Sequence, residues 1–166
     1  MNKTSPRELI TELVLENAAR MFREPEGIFT HPYLDPAGQY GKMLWDWDSY
    51  WTSLALLETG RNLASEDNGR FLAAVKPYAA GSLQNLLDAQ KRDGSIPISM
   101  AVDDPDIFDS GMCDNNMAKP IQGQYLALLL KHNAVAPETG RELLRRIIAA
   151  TNCRLARYQH ASTGLL

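Results

Sequence analysis

The stretch Asp48-Ser49-Tyr50-Trp51-Thr52-Ser53-Leu54-Ala55-Leu56-Leu57-Glu58 carries no charge between its two acidic ends. A helix over this segment is apolar almost all round, which calls for burial on every side. Asp46 or Asp48 can cap its start, and Gly60 stops it. A second stretch has the same character. It opens near Pro120, runs through Tyr125 and Leu126 to Leu130, and meets its only charge at Lys131.

The neighbouring segments read differently. Ser5-Pro6-Arg7-Glu8 has the form of a helix start, with Ser5 as N-cap, Pro6 in the first turn and Glu8 closing a capping box. Ile10, Leu13, Val14, Ala18, Met21 and Phe22 then recur at helical spacing and predict one apolar stripe as far as about Arg23. A third helix follows Ser65 and extends to about Arg92. Its stripe is Phe71, Leu72, Val75, Tyr78, Ala79, Leu86 and Leu87, with Pro77 as a kink or break. A fifth starts near Pro137 and reaches about His160, with Leu144, Ile147, Ile148, Leu155 and Tyr158 on one face. No stretch alternates convincingly enough for a strand, so an all-α chain is expected.

Amphipathic helices thus alternate with apolar ones: outer, inner, outer, inner, outer. Stacked α-hairpins produce that order when the inner helices line a toroid. The inner helices then run parallel and share one rim. Residues 24–47 and 93–119 are expected to meet there as irregular segments and to enclose a pocket. The second of these includes a stretch, 93–117, longer than structureless loops usually are, and such loops are often functional.

Composition narrows the function classes. The chain of 166 residues has 17 Lys+Arg and 20 Asp+Glu, a net charge of −3, with 45% hydrophobic and 22% charged residues. That is ordinary for one globular domain with a real core, expected here over residues 1–166. No basic stripe exists to neutralise phosphates, so nucleic acid is not an expected partner. The apolar stretches fall short of a membrane span, and the charged N-terminus is unlike a secretory signal. Cys113 and Cys153 lie far apart, which suits free thiols in the cytoplasm, a single disulfide being the alternative.

Chemistry concentrates at Tyr40-Gly41-Lys42-Met43-Leu44-Trp45-Asp46-Trp47-Asp48-Ser49-Tyr50-Trp51, which contains all three tryptophans. Flat indole faces stack on the apolar faces of sugar rings, and carboxylates accept hydrogen bonds from sugar hydroxyls. The alternative is that Asp48 only caps a helix while Trp47 and Trp51 fill the core. Both can hold together, since a cap residue at a pocket rim still offers an oxygen to a ligand.

This segment, followed by Gln90-Lys91-Arg92-Asp93-Gly94-Ser95-Ile96-Pro97 and then Asn116-Met117-Ala118-Lys119-Pro120, resembles glycoside hydrolase family 63, and within it the branch similar to mannosylglycerate hydrolases. The resemblance implies an (α/α)6 barrel, of which these helices form the N-terminal part. It also implies inverting hydrolysis of a small α-linked glucoside, mannoside or glycosylglycerate. Trp47 and Asp48 match the pair that holds the sugar, and Tyr40 and Trp45 match nearby aromatic residues. Lys119 stands where many relatives carry Gln, so a polar contact is expected of it. Gln122 is a further candidate substrate contact, with packing between helices as its other reading.

The catalytic acid and base are expected beyond Leu166, because Thr163-Gly164-Leu165 resembles the turn that precedes the acid. Inversion needs two carboxyls roughly 6.5–9.5 Å apart. Asp114, in Asp114-Asn115-Asn116, superficially resembles the acid's segment but lies before Lys119-Pro120 rather than after it. Asp103, Asp104, Asp106 and Asp109 could suggest a magnesium site, but Pro105 interrupts the run, and a solvated loop is the preferred reading. His31, His132 and His160 lack ligand spacing. No metal and no cofactor are expected; the partner is a small carbohydrate, with self-association possible through an uncovered barrel flank. A non-catalytic α-hairpin module that binds carbohydrate or another partner is the competing expectation.

Overall fold

The computed structural model describes residues 5–36, 41–63, 65–105, 107, 118–159 and 161–164, the side chains of residues 7, 65 and 66 aside. Among these the fold is mostly helical. Helices α1 (Pro6–Met21), α2 (Asp46–Arg61), α3 (Ser65–Asp88), α4 (Gln122–Lys131) and α5 (Pro137–Tyr158) are joined by short strands β1 (Phe22–Arg23), β2 (Tyr33–Leu34), β3 (Met43–Trp45) and β4 (Ser99–Ala101).

The strands correct the strand-free expectation. β1 pairs antiparallel with β2, and β3 with β4, so that Leu44 faces Met100 and Trp45 faces Ser99. Runs of two or three residues are too short for alternation to show. Long-range pairing makes them, and the 93–117 segment is therefore not one structureless loop.

Helix α1 starts as its sequence specifies. Ser5 Oγ accepts from the Glu8 amide at 3.2 Å, while Glu8 Oε2 accepts from the Ser5 amide at 2.6 Å. Its apolar stripe is covered at one end only. Ala18 is buried, but Ile10 and Leu13 are 62% and 61% exposed.

Helix α3 is the central element, packed on α2, α4, α5 and β2. One face stays open to solvent at Ala73, Ala74, Pro77 and Asp88. Val75, Ala79, Leu83, Leu86 and Leu87 are fully buried, and the helix continues through the exposed Pro77. Its buried polar residues hold the segment before β2. Asn85 Oδ1 accepts from the amides of Thr30 and His31, each at 3.1 Å, and Asn85 Nδ2 donates to His31 O at 2.9 Å. Ser82 Oγ accepts from the Leu34 amide at 2.9 Å. Those backbone groups would otherwise lose water without a partner. Gly81 allows the approach, because a Cβ there would fall 1.9 Å from Pro32 O.

Helices α2 and α4 are not buried on every side. The core side of α2 holds Ser49, Ser53, Leu56, Leu57 and Gly60, while Trp47 and Trp51 are 45% and 46% exposed. In α4, Tyr125, Leu126, Leu128 and Leu129 face inward, and Gln124, Ala127 and Leu130 face out. The core face of α5 is Leu143, Ile147, Ala150 and Cys153. Leu144 and Ile148, expected on it, are exposed. Cys153 is a buried free thiol; Cys113 lies outside the described residues. No helix among the described residues is long and apolar enough to cross a membrane.

Candidate functional site

The two irregular segments do converge. The β3–β4 ribbon joins them, and the Ile28 amide donates to Val102 O at 2.9 Å. β3 delivers the chain directly into α2, with Trp45 at the N-cap position in extended backbone and no side-chain cap. This corrects the expectation that Asp46 or Asp48 caps the helix. Both stand in its first turn, where a carboxylate still favours the positive end of the helix dipole.

Successive residues of that turn point in different directions, about 100° apart. Asp46 goes inward and is 1% exposed. Trp47 goes outward, and Asp48 is half-buried. Asp46 Oδ2 accepts a hydrogen bond from the Lys119 amide. The Asp46 amide donates to Ile98 O at 3.0 Å, and the Ala118 amide to Ile96 O at 2.9 Å. Residues 45–48, 96–98 and 118–120 are thereby stitched together.

A cavity of about 280 Å³ opens between them, lined by Trp45, Asp46, Trp47, Asp48, Ile98 and Lys119. A second, of about 380 Å³, is lined by Trp47, Tyr50, Trp51, Pro120, Ile121 and Gln124. Trp47 belongs to both. Behind it an aromatic series reaches into the core, from Trp47 to Trp51 (centroids 5.9 Å apart), Trp51 to Tyr50 (5.0 Å) and Tyr50 to Tyr125 (5.7 Å).

Burial pushes the Asp46 carboxyl up to about 6. The Lys119 and Trp47 amides and the Lys119 charge draw it back, and the neighbouring Asp48 raises it further. The site therefore pairs one carboxyl that titrates near neutrality with a second, more open one.

Of the residues expected from sequence, Trp45, Trp47, Asp48 and Lys119 share one cavity. Gln122 does not join them. It is 5% exposed and borders a void of about 10 Å³ with Ile96, Pro120 and Arg154. Its Nε2 has no hydrogen-bond partner among the described residues. Tyr40, Asp106, Asp109, Asp114 and His160 lie outside the described residues. Asp103 and Asp104 are exposed, and no group of three metal-ligating side chains occurs among the described residues. Sequence reasoning saw Asp46 as a cap and as one of two carboxylates among the tryptophans, not as a buried tie to Lys119. The signal available was its place between two tryptophans, two residues before Asp48. Ile98 gave no signal at all. No known protein family matches the chain, and no similar curated protein or solved structure was found.

Proposed function

We propose that this cavity is part of the sugar-binding subsite of an inverting glycoside hydrolase that acts on a small α-linked glucoside, mannoside or glycosylglycerate. The observation that carries the reading is the half-exposed Trp47 indole forming one wall of a cavity whose other walls include Asp48 and Lys119. An indole face suits the apolar face of a pyranose, and a carboxylate beside an ammonium accepts from and donates to its hydroxyls. Trp47 stacks on the ring, Asp48 accepts from hydroxyls, Lys119 donates, and Trp45 closes the floor. None of these is assigned the acid or base role. A partial (α/α)6 barrel is part of the same proposal, supported by the meeting of the two irregular segments at the starts of α2 and α4.

Calorimetric titration of the chain with glucosylglycerate, mannosylglycerate and simple α-glucosides tests the subsite. Saturable binding is expected, weakened at least about tenfold in Trp47→Ala and in Asp48→Ala, with both variants still unfolding cooperatively. Absence of binding to all of these glycosides, or unchanged affinity in both variants, would sink the reading. Release of free sugar from the bound glycoside separates a hydrolase from a module that only binds.

A further inference from the structure

We infer that Asp46 is a positioning residue for this cavity: its buried carboxylate holds the Lys119 backbone against the start of α2 and so fixes the distance between the wall bearing Trp47 and Asp48 and the wall bearing Lys119. What the cavity holds rests on the sugar-binding reading; the clamp itself does not.

The carboxylate reaches from the first turn of α2 across to the rim segment before α4. It is almost fully buried, and besides the Lys119 amide it meets the Trp47 amide of its own first turn. Its long-range partner is a main-chain amide 73 residues away, at the only part of the 118–121 segment that lines the cavity. The opposite end of the same residue is held too, by its amide on Ile98 O, and Ile98 is another cavity wall. One residue therefore ties three walls together. Side chains that set cavity spacing act through such supports, because a displacement of about 1 Å is enough to lose oriented contacts.

An ionised acceptor makes the stronger and shorter hydrogen bond to an amide. Protonating Asp46 weakens the tie and loosens the Lys119 wall. The charged groups that face it are Lys119 from the rim segment and Asp48 from its own turn; residues 96–98 contribute no charge. The clamp accordingly tightens as pH rises through the Asp46 titration, and Lys119 moves with it.

The test follows the isotope-labelled full chain by NMR between about pH 4.5 and 8. The Asp46 side-chain carboxyl carbon and the Lys119 amide are expected to titrate together with one midpoint close to 6. The Lys119 titration is expected to vanish in Asp46→Asn. A Lys119 amide that ignores the Asp46 titration overturns the clamp, and this readout in the unmodified chain needs no variant to fold. In Asp46→Asn, glycoside affinity at pH 7 is expected to fall about fivefold and to lose its pH dependence; unchanged affinity and pH profile overturn the positioning role. A chain whose Lys119 titrates as expected but which binds no glycoside refutes the sugar reading and leaves the clamp standing.

Discussion

The hydroxyls of Ser53 and Tyr125 lie 2.6 Å apart in the buried core, joining α2 to α4. Tyr125 also donates to Ala79 O at 2.9 Å, which commits its single proton to α3. Ser53 is therefore the donor in the pair. One phenol links three helices directly behind the rim aromatics, and burial raises its pKa so that it stays protonated. Tyr125→Phe leaves Ala79 O and Ser53 Oγ without this partner. A loss of about 1–3 kcal/mol is expected by urea unfolding, and a change below about 0.5 kcal/mol would show the network to be solvated.

Asp46 gives stability a pH dependence of definite sign. Its folded-state carboxyl is raised from 3.8 to about 6, so between these values the folded chain binds more protons than the unfolded one. Stability from this group is fully present below about pH 4 and is lost as pH rises through about 6. A shift of roughly two units corresponds to about 3 kcal/mol. Comparing unfolding midpoints of the native chain and Asp46→Asn at several pH values isolates it. The difference between them should change across pH 4–7; a parallel pair of profiles would contradict the burial effect.

Two glycines of α3 should answer oppositely to alanine. Alanine in a helix interior normally stabilises by about 1 kcal/mol relative to glycine. At Gly69 a Cβ meets nothing within 4 Å, so Gly69→Ala is expected to raise the melting temperature. At Gly81 a Cβ falls 1.9 Å from Pro32 O, and Gly81→Ala is expected to lower it by forcing residues 30–34 off the helix. Equal responses would mean that this close approach is absent in solution.

Truncations separate the true core from the stripe that the sequence suggests. Leu57 and Leu86 are fully buried, whereas Ile10 is 62% exposed. Leu57→Ala and Leu86→Ala should each cost about 2–5 kcal/mol. Ile10→Ala should stay within about 0.5 kcal/mol. A large cost at Ile10, measured by chemical denaturation, would place that face of α1 in contact with further protein.

The rim was more legible than its inner wiring. Four candidate residues, Trp45, Trp47, Asp48 and Lys119, come together in one cavity because three of them are neighbours in sequence and the fourth starts the segment leading to α4. Gln122 is one helical turn beyond Lys119, and that turn carries it under the rim rather than into the cavity. Asp46 and Ile98 enter through hydrogen bonds to residues distant in sequence, which no local spacing can encode.

The amino-acid sequence by itself determined what depends on near neighbours. The Ser5–Glu8 capping box is closed by groups three residues apart, Pro137 opens α5, and the crowding of tryptophans beside carboxylates is chemistry written in adjacent positions. Tertiary structure alone decided which faces those helices bury. Apolar periodicity tells a helix it has a face, but the cover comes from elsewhere. Asn85, Ser82 and Gly81 make α3 central because they satisfy and admit the backbone of residues 30–34. The short strands exist only as pairs. Asp46 became a buried tie because the fold brings the Lys119 amide, 73 residues away, onto its carboxylate.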